Sequence, residues 1–406
     1  MAEATNKTQQ LFDRGKRVLI GNYARQPVVM ERGEGSYVWD TEGKRYLDLF
    51  AGFGGGILGH CHPELVAAAT KQAGKLWHVG NTFYTEPQIE LAERLNRFAF
   101  EGQAFFCHSG AEANEAACKL ARLRGNQKHP NKWKVISLTH SFHGRTLAMV
   151  AATGNPAVRQ GFEPDVPGFE QVEAGNFDVL AKAVGSDVGA VLIEPIQGEG
   201  GINFHPDGYI QRVRQLCNER DVLLIFDEVW TGCGRTGKWF GHQHYRDASG
   251  KAIEPDIMTL GKAVGGGLPV GIMFAKPQFA ALLGPGKHGS TLGGNGICAA
   301  VSRTIFDVID RDKLTDRAAV MGEQAIARLK NESSIRQKVA SVRGRGLFIG
   351  IELKDPPEQF MEKALARGLV VNLTAKKIIR VAPPINVEEA LWQKGLDELV
   401  QLIASL

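Results

Sequence analysis

The chain has 406 residues, 43% hydrophobic and 23% charged, which is enough to build one large domain with a smaller companion around a sizeable core. Its net charge of +4 comes from 48 basic and 44 acidic residues that are well mixed, and no basic run or basic-aromatic stripe calls for a nucleic-acid partner. No apolar stretch approaches a membrane span, the opening "MAEATNKTQQLFDRGKR" has no apolar signal core, and the six cysteines form no CxxC pair, a pattern expected of free thiols in a reducing, cytoplasmic compartment.

In chain order, residues 28–50 read as short strands separated by turns at 33–35 and 41–43. Gly54, Gly56 and Gly59 then spell a dinucleotide fingerprint, but the unit lacks a following strand that ends in an acid about 20 residues on. His60 and His62 have metal-ligand chemistry without a third clustered partner, so no metal site is expected. Helical periodicity runs through 63–75 and 86–99. The apolar strand "AFFCH" (104–108) leads into a helix over 111–125. "KVISL" (134–138), a helix near 177–184, "GAVLIEP" (189–195), a helix at 207–220 and "DVLLIFDE" (221–228) continue the alternation.

Strands that are continuously apolar, alternating with helices, predict a mostly parallel sheet covered on both faces. From about 299 the pattern changes to two long helices, then "SVRGRGLFIGIEL", "GLVVNL", "IIRVAPPI" and a C-terminal helix. The expected division is an N-terminal segment, 1–62, that joins the small domain, a large domain over 63–298, and a small α+β domain over 299–406.

Chemistry collects at the strand ends. Ser109 and Glu112 form a capping box, and by itself such a box only starts a helix. Here a Ser-Gly pair also joins a strand end to a helix N-terminus, where free amides and the helix dipole suit a phosphate. Lys262 stands beside Gly265 to Gly267, glycines that allow close backbone approach to a ligand, and no P-loop is present. "SFHGRT" brings Phe142 and Arg145, while "LIEPIQGEGG" ends a buried strand at Glu194. Arg380 lies within an apolar strand and needs an anion, either a structural partner or a substrate carboxylate. Asp227 ends the run Leu223 to Phe226 and needs a cation or several donors. A phosphate cradle, an aromatic plate, a buried carboxylate and a lysine together fit pyridoxal 5'-phosphate, whose ring nitrogen is the cation that Asp227 would face.

The ordered set "LGHCHPELV", "HSGAEANEAA", "SFHGRT", "IEPIQGEGG", "LLIFDEVWTGCGRTG", "GKAVGGGLPVG" and "HGSTLGGN" resembles the class-III, ornithine-type aminotransferases over most of the chain. The resemblance implies an aspartate-aminotransferase-like α/β fold (fold type I), a cytoplasmic homodimer with shared active sites, and a role in amino-acid metabolism within arginine biosynthesis. It implies that the terminal amino group of N-acetylornithine or a close relative passes to a 2-oxo acid, 2-oxoglutarate. Lys262 would hold the cofactor covalently and shuttle the α-proton, and Asp227 would pair with the ring nitrogen. Ser109, Gly110 and Ala111 would cradle the phosphate, with Thr291 reaching the phosphate of the neighbouring subunit. Phe142 and Val229 would flank the ring. Arg145, Ser290 and Arg380 would contact substrate, and Glu194 would pair with Arg380 when no carboxylate is presented there.

Three departures stand out. Trp230 replaces the usual Gln, residues 54–56 are glycines, and Leu292 and Gly296 replace an aromatic and a proline. Trp230 either donates its indole N–H to the cofactor's phenolic oxygen or only packs. Succinylornithine, ornithine and 4-aminobutyrate are alternative donors. Two rivals belong to other classes: a nicotinamide-dependent oxidoreductase using Gly54 to Gly59, and a non-catalytic binding protein on the same scaffold.

Overall fold

Three short strands open the fold: β1 (Met30–Glu34), β2 (Tyr37–Asp40) and β3 (Arg45–Asp48). The tight turns between them place Gly35 and Gly43 at φ +56° and +81°, where a Cβ would be strained. This computed structural model describes residues 7–406. Residues 1–6, which begin the N-terminal segment and the opening stretch read above, lie outside the described residues.

The central sheet draws on β4 (Gln103–Cys107), β5 (Lys134–Leu138), β6 (Phe169–Val172) and β7 (Val188–Ile193). A two-strand ladder, β8 (Ile196–Gln197) and β9 (Asn203–Phe204), projects beyond β7. The sheet continues with β10 (Leu223–Asp227), β11 (Ile257–Leu260) and β12 (Gly271–Ala275). The seven strands lie in the order β4-β12-β11-β10-β7-β5-β6, which puts β10 in the middle. β6, β5, β7, β10 and β11 pair in parallel, whereas β12 runs antiparallel to both β11 and β4. The expectation of a mostly parallel sheet holds, with β12 as its one reversed strand.

The apolar run in β10 behaves as a strand buried on both faces. Leu223 and Ile225 join a core with Leu120 and Ala121 of the helix Gly110–Lys128. Leu224 and Phe226 join another with Val213 and Leu216 of the helix Tyr209–Glu219. Period-two alternation therefore supplies two hydrophobic layers from one strand, with no polar face left over.

Two long helices follow, Gly296–Arg311 and Leu314–Asn331, then β13 (Val339–Arg345), β14 (Phe348–Leu353), β15 (Leu369–Val370), β16 (Asn372–Thr374) and β17 (Ile378–Val381). β13, β14, β17 and β16 form a second, antiparallel sheet, against which the helix Leu314–Asn331 packs, while the closing helix Glu389–Ala404 lies beside β15 and faces Leu47 and Leu49 through Gly395. β15 leaves that neighbourhood and pairs in parallel with β3, so the N-terminal strands and the last part of the chain share one sheet.

Residues 51–54 connect β3 to the rest as a turn of left-handed backbone: φ is +49° at Ala51, +57° at Gly52, +59° at Phe53 and +78° at Gly54. Asp48 holds this turn, its Oδ1 accepting the amides of Phe50 (2.9 Å) and Ala51 (2.8 Å), while Oδ2 meets His60 Nε2 at 2.8 Å. Gly54 and Gly59 therefore serve a loop that follows the small sheet. They do not open a strand-helix crossover of the central sheet, so the dinucleotide reading is set aside.

Candidate active site

The carboxyl ends of β4, β5, β7, β10 and β11 converge on a cavity of about 480 Å³. Asp227, the last residue of β10, is buried there. Its Oδ2 accepts from Asn114 Nδ2 at 2.7 Å and meets His143 Nδ1 at 2.8 Å, and its Oδ1 accepts the Val229 amide at 3.1 Å. Thr259 in turn donates to Asn114 Oδ1 at 2.6 Å. Sequence reasoning missed Asn114 and His143. The signal was available in "HSGAEANEAA" and "SFHGRT", since polar residues on buried segments must find partners.

Lys262 follows β11 at the start of the short helical turn Lys262–Gly265, with φ +47°. A lysine in left-handed backbone is strained, and strain of this kind is kept where surrounding structure fixes a side chain for use. The preceding Gly261 lies so close to the Gly110 amide that a Cβ would sit 3.0 Å from its nitrogen. Burial pushes the Lys262 ammonium down to about 8, although Glu199 favours its charged form. That value makes it a usable nucleophile and proton carrier near neutral pH.

The anion site around Arg380 differs from expectation. Arg380, on β17, is buried, and its guanidinium pairs with Glu199 Oε2 at 2.8 Å; Glu194 is not its partner in this structure. Glu194 Oε1 instead accepts the Phe142 amide and Oε2 the Gly198 amide, both at 2.9 Å. The ladder of β8 and β9 explains the exchange, because Glu199 rides on the loop between those strands toward β17. Burial raises the Glu194 carboxyl to about 7. Burial also acts upward on Glu199, but Arg380 and Lys262 outweigh it and hold that carboxyl below its usual range. Glu199 Oε1 lies 3.8 Å from Lys262 Nζ and accepts the indole N–H of Trp230 at 3.0 Å.

At the helix start, the Glu112 amide donates to Ser109 Oγ at 3.2 Å, the first half of the expected box. The Glu112 carboxylate reaches one residue further back than the box requires, to the His108 amide at 3.1 Å. Gly110 and Ala111 supply first-turn amides that have no acceptor within the helix. Phe142 and Val229 line the same cavity, and exposed Arg145 sits at its rim with its guanidinium 5.2 Å from the Phe142 ring centre. Ser290 and Thr291 do not line the cavity of their own chain; Thr291 is exposed, and Ser290 Oγ accepts the Gly293 amide at 3.1 Å.

The sequence model of the class-III aminotransferases matches residues 20–403. The chain belongs to the class-III aminotransferases. It is 43% identical over 389 residues to an acetylornithine aminotransferase of Myxococcus xanthus, covering 95% of this chain and 96% of that protein. An acetylornithine aminotransferase of Aquifex aeolicus is 40% identical, over 95% of this chain and 99% of the relative. Among solved structures, the ornithine aminotransferase of Toxoplasma gondii ME49 superimposes with a TM-score of 0.92 at 30% identity, covering 99% of this chain and 96% of that one. The acetylornithine aminotransferase of Elizabethkingia anophelis gives 0.86 at 30% identity over 99% and 100%.

The protein is thus a transaminase of the class that works with pyridoxal 5'-phosphate. The residues of this aminotransferase fit that cofactor. Gly110 is closed against Val229, where a Cβ would lie 2.6 Å from Cγ2, so only glycine brings the helix start this near the valine. Gly144 is likewise held 2.6 Å, measured from a built Cβ, from the Ala111 methyl. The cavity thereby joins bare first-turn amides, a buried carboxylate with three ordered partners, and a lysine of lowered pKa. Among the described residues no helix is long and apolar enough to cross a membrane.

Proposed function

We propose that this transaminase moves the terminal amino group of N-acetylornithine, or a close relative such as succinylornithine, ornithine or 4-aminobutyrate, to 2-oxoglutarate, yielding a semialdehyde and glutamate. The observation that carries this reading is the Glu199–Arg380 pair beside Lys262. A buried arginine already neutralised by a neighbouring carboxylate suits an amine whose reacting end brings no carboxylate. Once Glu199 moves aside, the same arginine can take a carboxylate of 2-oxoglutarate.

When bound, pyridoxal phosphate supplies the aldehyde that takes up the amine and a ring that accepts the electron pair left at carbon. Gly110 and Ala111 would hold its phosphate, Phe142 and Val229 would flank its ring, and Asp227 would keep a proton on the ring nitrogen. Lys262 would move the proton at the carbon that bears the amine. Arg145 would bind the distal carboxylate of the donor and orient its terminal amine toward Lys262.

The same reading makes the protein a cytoplasmic homodimer in arginine biosynthesis, with Thr291 serving the neighbouring subunit. Trp77, Phe83, Tyr84 and Leu292 are all at least half exposed, and Asn81 ties their two segments together through Ser290 O (2.8 Å) and Gly293 O (3.0 Å). Large apolar side chains exposed together on two tied segments support a second copy as their cover. Cys107, Cys118, Cys217 and Cys233 are buried, and burial holds their thiols up to about 12, which suits free cysteines kept reduced.

A donor screen of single-turnover rates with purified holoenzyme tests the reaction. N-acetylornithine or one of the named terminal amines should turn over fastest, and exclusive activity on α-amino groups would reject the reading. Subunit sharing has its own test. An inactive Lys262→Ala protomer mixed with an inactive Thr291→Ala protomer should recover partial activity, and none despite proven subunit exchange would reject Thr291 in trans.

A further inference from the structure

The indole of Trp230 is fixed on several sides. It stacks on Phe348 with ring centres 5.2 Å apart and planes 22° from parallel. Gly198 and Gly54 close its edges, since a Cβ at Gly198 would lie 2.7 Å from Cδ1 and one at Gly54 2.5 Å from Cζ3. Gly54 is itself held by the left-handed turn that Asp48 caps. The ring therefore has no room to turn, and its single N–H points along one fixed line, to Glu199 Oε1 at 3.0 Å.

We propose that Trp230 is a specificity-determining residue: its indole N–H ties Glu199 onto Arg380 and so biases the site toward amines whose reacting end carries no carboxylate. The inference rests on the two-state use of Arg380 proposed above. Glu199 Oε2 is taken by Arg380 at 2.8 Å, while its Oε1 is shared by the indole and, at 3.8 Å, by Lys262. Opening Arg380 to a substrate carboxylate thus breaks a second, charge-assisted hydrogen bond and leaves a buried N–H with no acceptor. The cations lose less. Lys262 Nζ stays 4.0 Å and the Arg380 guanidinium 5.3 Å from the indole ring centre, and these contacts do not need Glu199. The tie therefore acts on the glutamate, and its effect falls on whichever substrate must displace that glutamate.

The test compares wild type, Trp230→Phe, Glu199→Gln and the double variant as holoenzymes. Phenylalanine keeps a ring against Phe348 and removes only the donor and part of the bulk. Binding of glutarate, a dicarboxylate with no amino or oxo group, is read by calorimetry, and each half-reaction by kcat/KM with N-acetylornithine, 4-aminobutyrate and 2-oxoglutarate. In Trp230→Phe, glutarate Kd and the KM for 2-oxoglutarate should each fall about tenfold, while kcat/KM for the terminal amines falls. With Glu199→Gln already in place, Trp230→Phe should leave that selectivity ratio unmoved. Glutarate binding that weakens or stays the same, both half-reactions changing by one factor, or a ratio shift that persists without Glu199, would each overturn the role given to Trp230. A wild-type enzyme inert toward every terminal amine would overturn the proposed reaction instead, and the glutarate comparison would still decide the role of Trp230.

Discussion

Lys262 and Asp227 are set to their tasks by opposite means, and each yields a prediction. Lys262 loses part of its charge to burial, with a folded value of about 8 against the ordinary 10.5. Between those values the unfolded chain keeps a proton that the folded chain has shed, so this group makes the cofactor-free protein more stable as pH rises from about 8 to 10.5. Urea midpoints should show that gain in wild type and not in Lys262→Met. Glu199 favours the ammonium, so Glu199→Gln should move the pH-dependence of cofactor uptake below 8, and an upward move would refute the assignment. Asp227 is held by donors that converge on Oδ2. Asp227→Asn should retain cofactor but slow single-turnover proton removal by several orders of magnitude; a rate within about tenfold of wild type, about 1.4 kcal/mol, would make the aspartate a structural cap. Both residues were legible in the sequence, because an acid at the end of a fully apolar strand and a lysine beside three glycines each demand a reason. The choice of Glu199 over Glu194 as the partner of Arg380 was not. The two acids share one glycine-rich stretch, and only the ladder of β8 and β9 turns one toward its own loop amides and the other toward Arg380. Trp230 was open between donor and packing. In this structure it packs on Phe348 and gives its one N–H to Glu199, an outcome that is neither donation to the cofactor's phenolic oxygen nor packing alone.

The helix start at Gly110 and the left-handed turn at 51–54 put backbone where a side chain would not fit or would be strained. At Gly110 the obstacle is Val229, so Gly110→Ala should push the valine or the helix start away and weaken cofactor retention at least about tenfold, read by equilibrium release, with little change in helix content. At Gly52 nothing lies within 4 Å of a built Cβ, so Gly52→Ala isolates conformational strain. It should cost about 1–2 kcal/mol in denaturant titration, and a neutral result would mean that the turn relaxes freely. The Ser109 N-cap of the first element could be read from its letters, though not the reach of Glu112 to His108, and so could the carboxyl-end placement of the site, since both depend on residues a few positions apart. The left-handed turn could not. Glycines at 52 and 54 allow it, but Ala51 and Phe53 adopt it too, and what imposes it is the grip of Asp48 and the packing against Trp230, which tertiary structure alone supplies.

Across the whole molecule, strand-helix alternation was enough to predict a mostly parallel central sheet, because β4, β5, β7 and β10 each announce themselves over five or six residues. β6, β11 and β12 were not read as strands, and the reversal of β12 has no local mark: a fully apolar strand looks the same in either direction. The pairing of β3 with β15 was beyond reach for another reason, since its partners lie more than 300 residues apart. That pairing has a consequence for how the protein is made. At roughly 5–20 residues per second, β15 leaves the ribosome about a quarter of a minute to a minute after β3. Until then Leu47 and Leu49 have no Gly368 and Val370 carbonyls to receive their amides, and β3 remains an unpaired sheet edge on a growing chain. The finished enzyme closes its sheet with nearly the last strand it synthesises, so a nascent chain stalled after the large sheet would carry a folded centre and a sticky N-terminus, the state in which a chaperone has most to protect.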